Sequence, residues 1–318
     1  MLNNFEGYFK LAQGNPAVPG KPSGDAGTTS ETGCGGGEGG MASTFTWLES
    51  VNSTMDEVKT LIVNQQGSST KGVFAVAARE QLRGRGTKGR AWIGLPGNVF
   101  LTVAIPLDRI PVPLSLIPLR VGTLIAPEIQ RRLKREESHP SLVTEEGQQQ
   151  QEQQAMPSLL SSSEQGIDSP NSRVSLKWPN DVLIGGSKVA GVLIEAELPF
   201  LLVGIGVNVR HKPDVPQQGP DRGRRATCLA DFGADSTDEA VRELSAALTE
   251  KLCAWASGKD SADAALSEWS RWVDWSLPLE IRDEGRAVTP VGVAPDGQLR
   301  VVDPVTKQEE LLATQYLL

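Results

Sequence analysis

The chain has 318 residues and a formal net charge of −8 at pH 7, from 31 Lys and Arg and 39 Asp and Glu. The acidity lies in two polar segments, residues 1–43 with a net charge of −2 and residues 136–172 with −7, so the other 238 residues carry about +1. The overall balance argues against a general binder of nucleic acid or anionic membranes, because both favour a basic surface.

Cysteine and histidine are scarce. Three cysteines without a C-x-x-C pair indicate a reducing compartment without disulfides, and two histidines, His139 and His211, predict no metal cluster. There is no apolar run of 18 residues and no signal or transit pattern at the N-terminus. We therefore expect a cytoplasmic protein, with organellar targeting left open.

The first predicted elements follow residues 1–43, a Gly-rich segment whose few large apolar side chains predict disorder. A Ser-Thr pair at 53–54 with Glu57 forms a capping box that opens an amphipathic helix. A second helix, interrupted by two prolines, is predicted over residues 114–135. Residues 136–172 hold seven Gln and eight Ser, which predicts a flexible surface insertion.

Apolar, β-rich runs predict six strands, at residues 73–78, 99–105, 174–176, 182–184, 189–196 and 201–209. The links between the last three are too short for a parallel crossover, so these strands should form antiparallel hairpins. A helix over 241–255 follows, and short strands begin near residue 277. The predicted fold is α+β, with a mixed, largely antiparallel sheet in a domain over 44–272 and a small β-barrel over 273–318.

Residues 84–89 match G-x-G-x-x-G after a strand, the pattern of a dinucleotide-binding turn. That turn needs a helix to begin within the motif, and here two glycines and a proline follow at 94–97, so we reject this interpretation. What remains is a glycine-rich loop with cations at 83, 85, 88 and 90, which indicates a phosphate or carboxylate site. The alternative is an exposed basic loop.

Two further motifs each have a functional and a structural interpretation. K-W-P-N-D at 177–181 places a lysine at a strand end, where it suits phosphate or is merely solvated. G-x-G-x-N at 204–208 puts glycines in an apolar strand, which indicates a group packed closely on the backbone or a local bulge.

A strand is followed, in order, by Q-x-x-G-R-G-x-x-G-R-x-W from Gln81 to Trp92, K-W-P-N-D, K-x-A-G-x-L-x-E from Lys188 to Glu195, and G-x-G-x-N. This order resembles the biotin–protein ligase family over roughly 45–318 apart from the insertion. The resemblance implies that family's catalytic fold and its small C-terminal SH3-like barrel. It favours the functional interpretation of all three motifs.

The resemblance implies a carbon–nitrogen ligase that joins biotin and ATP to biotinyl-5′-AMP and then transfers biotin to a lysine of biotin carboxyl-carrier domains. A carboxylate is ionised at pH 7, so the first step needs cations rather than a base. A Mg²⁺ ion bridging the phosphates is implied without a protein cage, so no metal ligands are assigned. We expect no nucleic-acid or membrane partner, and a homodimer is left open.

The resemblance also implies the substrate-binding residues. Biotin would contact Ser53, Thr54, Met55, Gln81, Gly84 and Arg85. The loop residues Gly86, Thr87 and Lys88 complete the binding set, and Arg90 and Asn208 would face the nucleotide. Trp92 would contact adenine or act as a lid, with a plain core tryptophan as the alternative.

Three residues would carry the chemistry. Lys177 would lie between the biotin carboxylate and the α-phosphate as the main catalytic residue, and Arg85 would assist it. Asp181 would orient or deprotonate the target amine, or alternatively cap the local turn.

Three departures from the family pattern keep alternatives open. Met55 replaces the asparagine of S-T-N, Thr87 stands where some members carry a basic residue, and residues 92–97 read W-I-G-L-P-G instead of W-x-S-P-x-G. A biotin-binding regulator with reduced ligase activity therefore remains a candidate. So do a lipoate or octanoate ligase, although its R-R-x-S-G-G-G motif is absent, and a non-enzymatic nucleic-acid binder. Because residues 1–43 lack the pattern of a winged helix, we predict no DNA binding.

Overall fold

The computed structural model describes residues 29–31, 43–64, 72–133, 172–217, 223–281 and 285–313. Within these ranges the chain forms two β-sheets and four α-helices. The elements in chain order are β1 (Thr29–Glu31), β2 (Ser43–Val51), α1 (Thr54–Asn64), β3 (Val73–Arg85), β4 (Ala91–Gly94), β5 (Val99–Pro106), α2 (Ile117–Leu133), β6 (Val174–Lys177), β7 (Asp181–Ile184), β8 (Ser187–Glu197), β9 (Phe200–Val207), α3 (Asp238–Ser257), α4 (Ala262–Trp272), β10 (Leu279–Ile281), β11 (Arg286–Val293), β12 (Leu299–Val302) and β13 (Glu309–Leu312).

The larger sheet has nine strands in the order β1-β2-β3-β5-β9-β8-β7-β6, with β4 paired to β3 beside this path. Strands β2 and β3 are parallel and are joined by α1, whereas the other pairs are antiparallel. The α+β class, the mixed sheet and the hairpins β7–β8 and β8–β9 are confirmed. Strand β2 was not among the predicted strands, because polar residues interrupt its apolar ones.

Side chains of β3 alternate between two hydrophobic clusters. Phe74 and Val76 pack with Val58 and Ile62 of α1. The β3 residues that alternate with them belong to the other cluster, which they share with α2, α3 and α4 on the opposite face. Strand β5 lies at the centre and is buried along its whole length. The sheet therefore has helices on both faces, and among the described helices α1 covers the face on which the candidate site lies.

Helix α2 runs without a break to Leu133, so the predicted interruption is wrong. Pro118 lies in the first turn, where a backbone N–H needs no partner within the helix, and Pro127 is accommodated in the interior. Helix α3 is confirmed, and the Thr237 hydroxyl accepts a hydrogen bond from the Ala240 amide at 3.2 Å. Helix α4 was not predicted, because its buried face is built on few apolar residues.

Three residues of the segment predicted to be disordered, Thr29–Glu31, form strand β1 and pair antiparallel with β2. A backbone ladder of this kind does not need large apolar side chains. The rest of that segment before Ser43, and the predicted insertion up to residue 171, lie outside the described residues.

The smaller sheet is C-terminal, four-stranded and antiparallel, in the order β10-β11-β12-β13. A turn at 295–297 joins β11 to β12, with Gly297 at a φ of +89°. Leu279 and Val288 of this sheet belong to the same hydrophobic cluster as helix α4. The Trp178 Nε1 donates a hydrogen bond to the Gly297 carbonyl at 2.8 Å, which joins the turn to the residue after β6. None of the described helices has the length and apolarity that a membrane crossing requires.

Candidate functional site

A narrow cleft opens at the N-terminal end of α1, between the β3–β4 ribbon and strands β8 and β9. Eight of the predicted residues line it: Ser53, Thr54, Met55, Gln81, Arg85, Gly86, Thr87 and Trp92.

The floor of the cleft is polar. The Oε1 atom of Gln81 accepts hydrogen bonds from the Thr54 amide at 2.8 Å and from the Thr54 hydroxyl at 3.1 Å. The hydroxyls of Thr54 and Thr102 lie 2.8 Å apart. Because Oε1 already accepts these bonds, the Nε2 group of Gln81 remains as a donor, next to Gly84. Sequence reasoning missed Thr102, although a lone threonine in the apolar strand 99–105 is a usable signal.

Two glycines of β9 give the cleft its depth. A Cβ atom at Gly206 would overlap the indole ring of Trp92, and one at Gly204 would lie 2.8 Å from the Met55 Cε. The predicted close packing on the glycine backbone is therefore confirmed. Trp92 lies in the cleft and not in the hydrophobic core, and its Nε1 is buried without a hydrogen-bond partner among the described residues.

Arg85 ties the glycine-rich loop to the first turn of α1. Its guanidinium makes two hydrogen bonds with Asp56, at 2.8 and 2.9 Å, and its Nε lies 3.7 Å from Glu195. The hydrogen bond to Asp56 raises the pKa of Arg85. Sequence reasoning missed both carboxylates, because 29 residues separate Asp56 from its partner.

A cluster of charges lies beside the cleft. The Lys188 Nζ is 2.6 Å from the Asp181 Oδ1 and 5.4 Å from the centre of the Trp92 ring, within the range of a cation–π contact. Burial raises the pKa of Asp181, but the charges of Lys188 and Lys177 outweigh it and hold that pKa below its ordinary value. Asp181 is therefore an ionised carboxylate and a weak base.

Lys177 ends strand β6, as predicted, with 7% of its surface exposed. Burial lowers its pKa from 10.5 to about 8; Asp181 opposes this change, and the cations of Arg224, Lys188 and Arg90 reinforce it. Lys177 does not line the cleft with Lys188; it lines a second cavity. Sequence reasoning assigned no role to Lys188 or Arg224, although Lys188 begins a recognised motif.

The other predicted residues surround the cleft without lining it. Gly84 packs against the Trp92 carbonyl, and the Arg90 carbonyl accepts a hydrogen bond from the Gly86 amide at 2.8 Å. Asn208 is buried and its Nδ2 donates to the Thr227 carbonyl at 3.0 Å. The side chain of Lys88 lies outside the described part of the chain.

The glycine-rich loop leads into a short 3-10 turn, Thr87–Gly89, and then into β4, which pairs antiparallel with β3. No α-helix begins within the motif, and the chain continues as a β-ribbon, which is inconsistent with a dinucleotide-binding turn. Among the described residues, no group of three or more His, Cys, Asp and Glu side chains could hold a metal ion.

Comparisons with known proteins give one consistent family. Residues 47–209 match the Biotin/lipoate A/B protein ligase family. A biotin–[acetyl-CoA-carboxylase] ligase of Mycobacterium tuberculosis is 28% identical over 192 residues, which are 58% of this chain and 57% of that protein. The ligase of the same name from Paracoccus denitrificans is 30% identical over 173 residues, which are 52% of this chain and 55% of that protein. The chain thus spans little more than half the length of these two relatives.

A solved structure extends the likeness. The biotin protein ligase of Leishmania major, in complex with biotinyl-5-AMP, matches with a TM-score of 0.54 and 28% identity. The match covers 85% of this chain and 98% of that one.

Proposed function

Because the chain belongs to the biotin/lipoate A/B protein ligase family, we propose that it is an ATP-dependent biotin–protein ligase. It would form biotinyl-5′-AMP from biotin and ATP and then transfer biotin to a lysine of a carboxylase's biotin carboxyl-carrier domain. The observation that carries the proposal is a narrow cleft with a floor of hydroxyl and amide groups that opens beside a cluster of cations around the buried Lys177.

The cleft suits biotin in its chemistry. A ureido ring offers two N–H donors and one carbonyl acceptor, which the groups of Ser53, Thr54 and Gln81 can satisfy. Met55 and Trp92 add apolar walls for a thioether ring and an alkyl chain. In this proposal, Arg85 holds the loop over the ligand through its bonds to Asp56.

The first step needs positive charge. One oxygen of the biotin carboxylate attacks the α-phosphorus of ATP, and pyrophosphate leaves with the electron pair of the broken P–O bond. Lys177 and Lys188 lie where they can bring the two anions together and stabilise the charge that develops. With a pKa of about 8, Lys177 is protonated in roughly 90% of molecules at pH 7.

In the second step, a neutral lysine amine of the acceptor attacks the acyl carbon. AMP leaves with the electron pair of the broken C–O bond, and the proton lost by the amine passes to the released phosphate or to solvent. Asp181 is already ionised and has a lowered pKa, so we assign it to orient the incoming amine rather than to deprotonate it. Arg90 and Asn208 remain the proposed nucleotide contacts, together with Lys88 and the loop backbone around Gly86 and Thr87.

Mg²⁺ is proposed to enter as the ATP complex, held by phosphate oxygens, because the described residues offer no cluster of three metal ligands. We also propose that the C-terminal sheet closes as an SH3-like barrel. The buried free thiol of Cys228 supports a reducing, cytoplasmic location. A homodimer and the absence of nucleic-acid binding stay predictions, which size-exclusion chromatography and DNA gel-shift assays test.

The test is pyrophosphate exchange into ATP by the pure full-length chain with biotin, lipoate or octanoate. Of the three acids, we expect only biotin to support exchange. When a purified carrier domain is added, we expect biotin to be transferred to it. Exchange with lipoate or octanoate but not with biotin would replace the proposed substrate.

A variant links this activity to the cleft. Gln81→Leu leaves the Thr54 amide and hydroxyl without their acceptor, so KM for biotin should rise about 10-fold while KM for ATP stays unchanged. The matched control is Gln308→Leu, which alters an exposed glutamine immediately before β13. Equal effects of the two substitutions would argue against biotin in this cleft.

A further inference from the structure

A second cavity of about 530 Å³ lies between the β7–β8 turn and the start of the C-terminal sheet. Lys177 reaches it from the end of β6, and Arg224 and Arg225 reach it from the segment before α3. Of the described residues that line it, one, Glu280, is acidic. The cavity therefore presents three cations and one carboxylate to a ligand.

One hydrogen bond from the guanidinium of Arg224 holds this side chain in place. Its Nη1 donates a hydrogen bond to the Gly186 carbonyl at 3.0 Å in the β7–β8 turn. Its Nε is buried and has no hydrogen-bond partner among the described residues, which costs free energy in the unliganded protein. An anion that accepts hydrogen bonds from the N–H groups of the Arg224 guanidinium would offset that cost.

One carboxylate interacts with cations of both cavities. Asp181 interacts with Lys188, which lines the cleft, and with Lys177 and Arg224, which line the second cavity. The charge of Arg224 also acts on Lys177 and helps to lower the pKa of Lys177. A multiply charged anion beside these two side chains would relieve their repulsion, and a single carboxylate would relieve it less.

We propose that the second cavity binds the β- and γ-phosphates of the nucleotide and that Arg224 is the residue that holds them. This inference rests on the proposed ligase function. The α-phosphorus would then lie near Lys177, with the biotin carboxylate on the cleft side and the leaving pyrophosphate on the cavity side. The new O–P bond forms on one side while the bond to the bridging oxygen breaks on the other, and pyrophosphate takes the electron pair.

The direct test is titration calorimetry of the full-length chain with inorganic tripolyphosphate at low salt. Arg224→Gln should weaken binding about 10- to 100-fold, because it removes charge-assisted hydrogen bonds. Arg224→Lys should lie between this variant and the natural chain, since it keeps the charge and loses the fork. Arg271→Gln, which removes the same charge from the exposed surface of α4, should bind as the natural chain does.

A second measurement needs no substitution. Acylation of lysines by an amine reagent, followed by peptide mass spectrometry, should slow at Lys177 when tripolyphosphate is present and stay unchanged at the exposed Lys259. Unaltered labelling of Lys177, or a change of less than twofold in the affinity of Arg224→Gln, would overturn the assignment.

The two proposals fail separately. Tripolyphosphate binding that depends on Arg224, without biotin-dependent exchange, would leave the cavity assigned and refute the ligase. Biotin-dependent exchange whose KM for ATP is the same in Arg224→Gln and the natural chain would leave the ligase and refute the role of Arg224.

Discussion

Replacing Lys177 with methionine should stabilise the folded protein at pH 7 while it abolishes adenylate formation. Methionine keeps most of the aliphatic volume of the buried side chain and removes its charge. The pKa of Lys177 falls from 10.5 to about 8 on folding. At about 1.4 kcal/mol per pKa unit, the folded state carries a penalty of roughly 3 kcal/mol at pH 7, and the substitution removes it.

The sign of the pH dependence follows from proton binding. Between pH 8 and 10.5 the unfolded chain keeps the proton on Lys177 and the folded chain loses it, so the free energy of unfolding rises with pH. Below pH 8 both states are protonated and the full penalty remains. This rise in the free energy of unfolding should be absent in Lys177→Met. The rate of pyrophosphate exchange by the natural chain should fall as the pH rises above about 8, because Lys177 then loses its positive charge.

The assay is urea unfolding followed by tryptophan fluorescence at pH 7 and pH 10, with pyrophosphate exchange on the same samples. Lys259→Met is the matched control, because that lysine is exposed and its replacement should change neither quantity. A Lys177→Met protein that is less stable than the natural chain at pH 7 would refute a strained buried cation. Retained exchange would remove Lys177 from the reaction.

Two further predictions concern the walls of the cleft. Gly206→Ala should displace the Trp92 ring and reduce biotin-dependent exchange at least 10-fold. Gly204→Ala should have a milder effect, because the closest contact of its new methyl group is the flexible end of a methionine. Equal losses of activity in steady-state assays of the two variants would contradict this prediction. Asp56→Asn should lower stability by less than about 1 kcal/mol, because its ion pair with Arg85 is half-exposed, yet raise KM for biotin by loosening the loop; a melting curve and a biotin titration separate the two effects, and an unchanged KM would refute the positioning role.

Local patterns predicted the features that depend on few residues. Short links identified the antiparallel hairpins β7–β8 and β8–β9, and glycines in an apolar strand predicted the close packing seen at Gly206. The motifs also named eight of the residues that line the cleft.

Features that depend on long-range pairing were missed. The contact between Thr54 and Thr102 joins residues 48 positions apart, and Arg224 meets the β7–β8 turn across 38 positions. No periodicity marks which distant residues will meet, because tertiary packing decides it. For the same reason, the sequence could not reveal that Lys177 and Lys188 line different cavities.

The hydrogen bond from Trp178 to Gly297 links the mobility of two regions that are 119 residues apart. A fluctuation that opens the C-terminal turn also releases the indole beside Lys177, so the strand that ends in the lysine should share its local unfolding with the smaller sheet. Amide hydrogen exchange would then report similar opening free energies for β6 and β12. Opening of the C-terminal sheet would then determine how often Lys177 leaves its position at the end of β6.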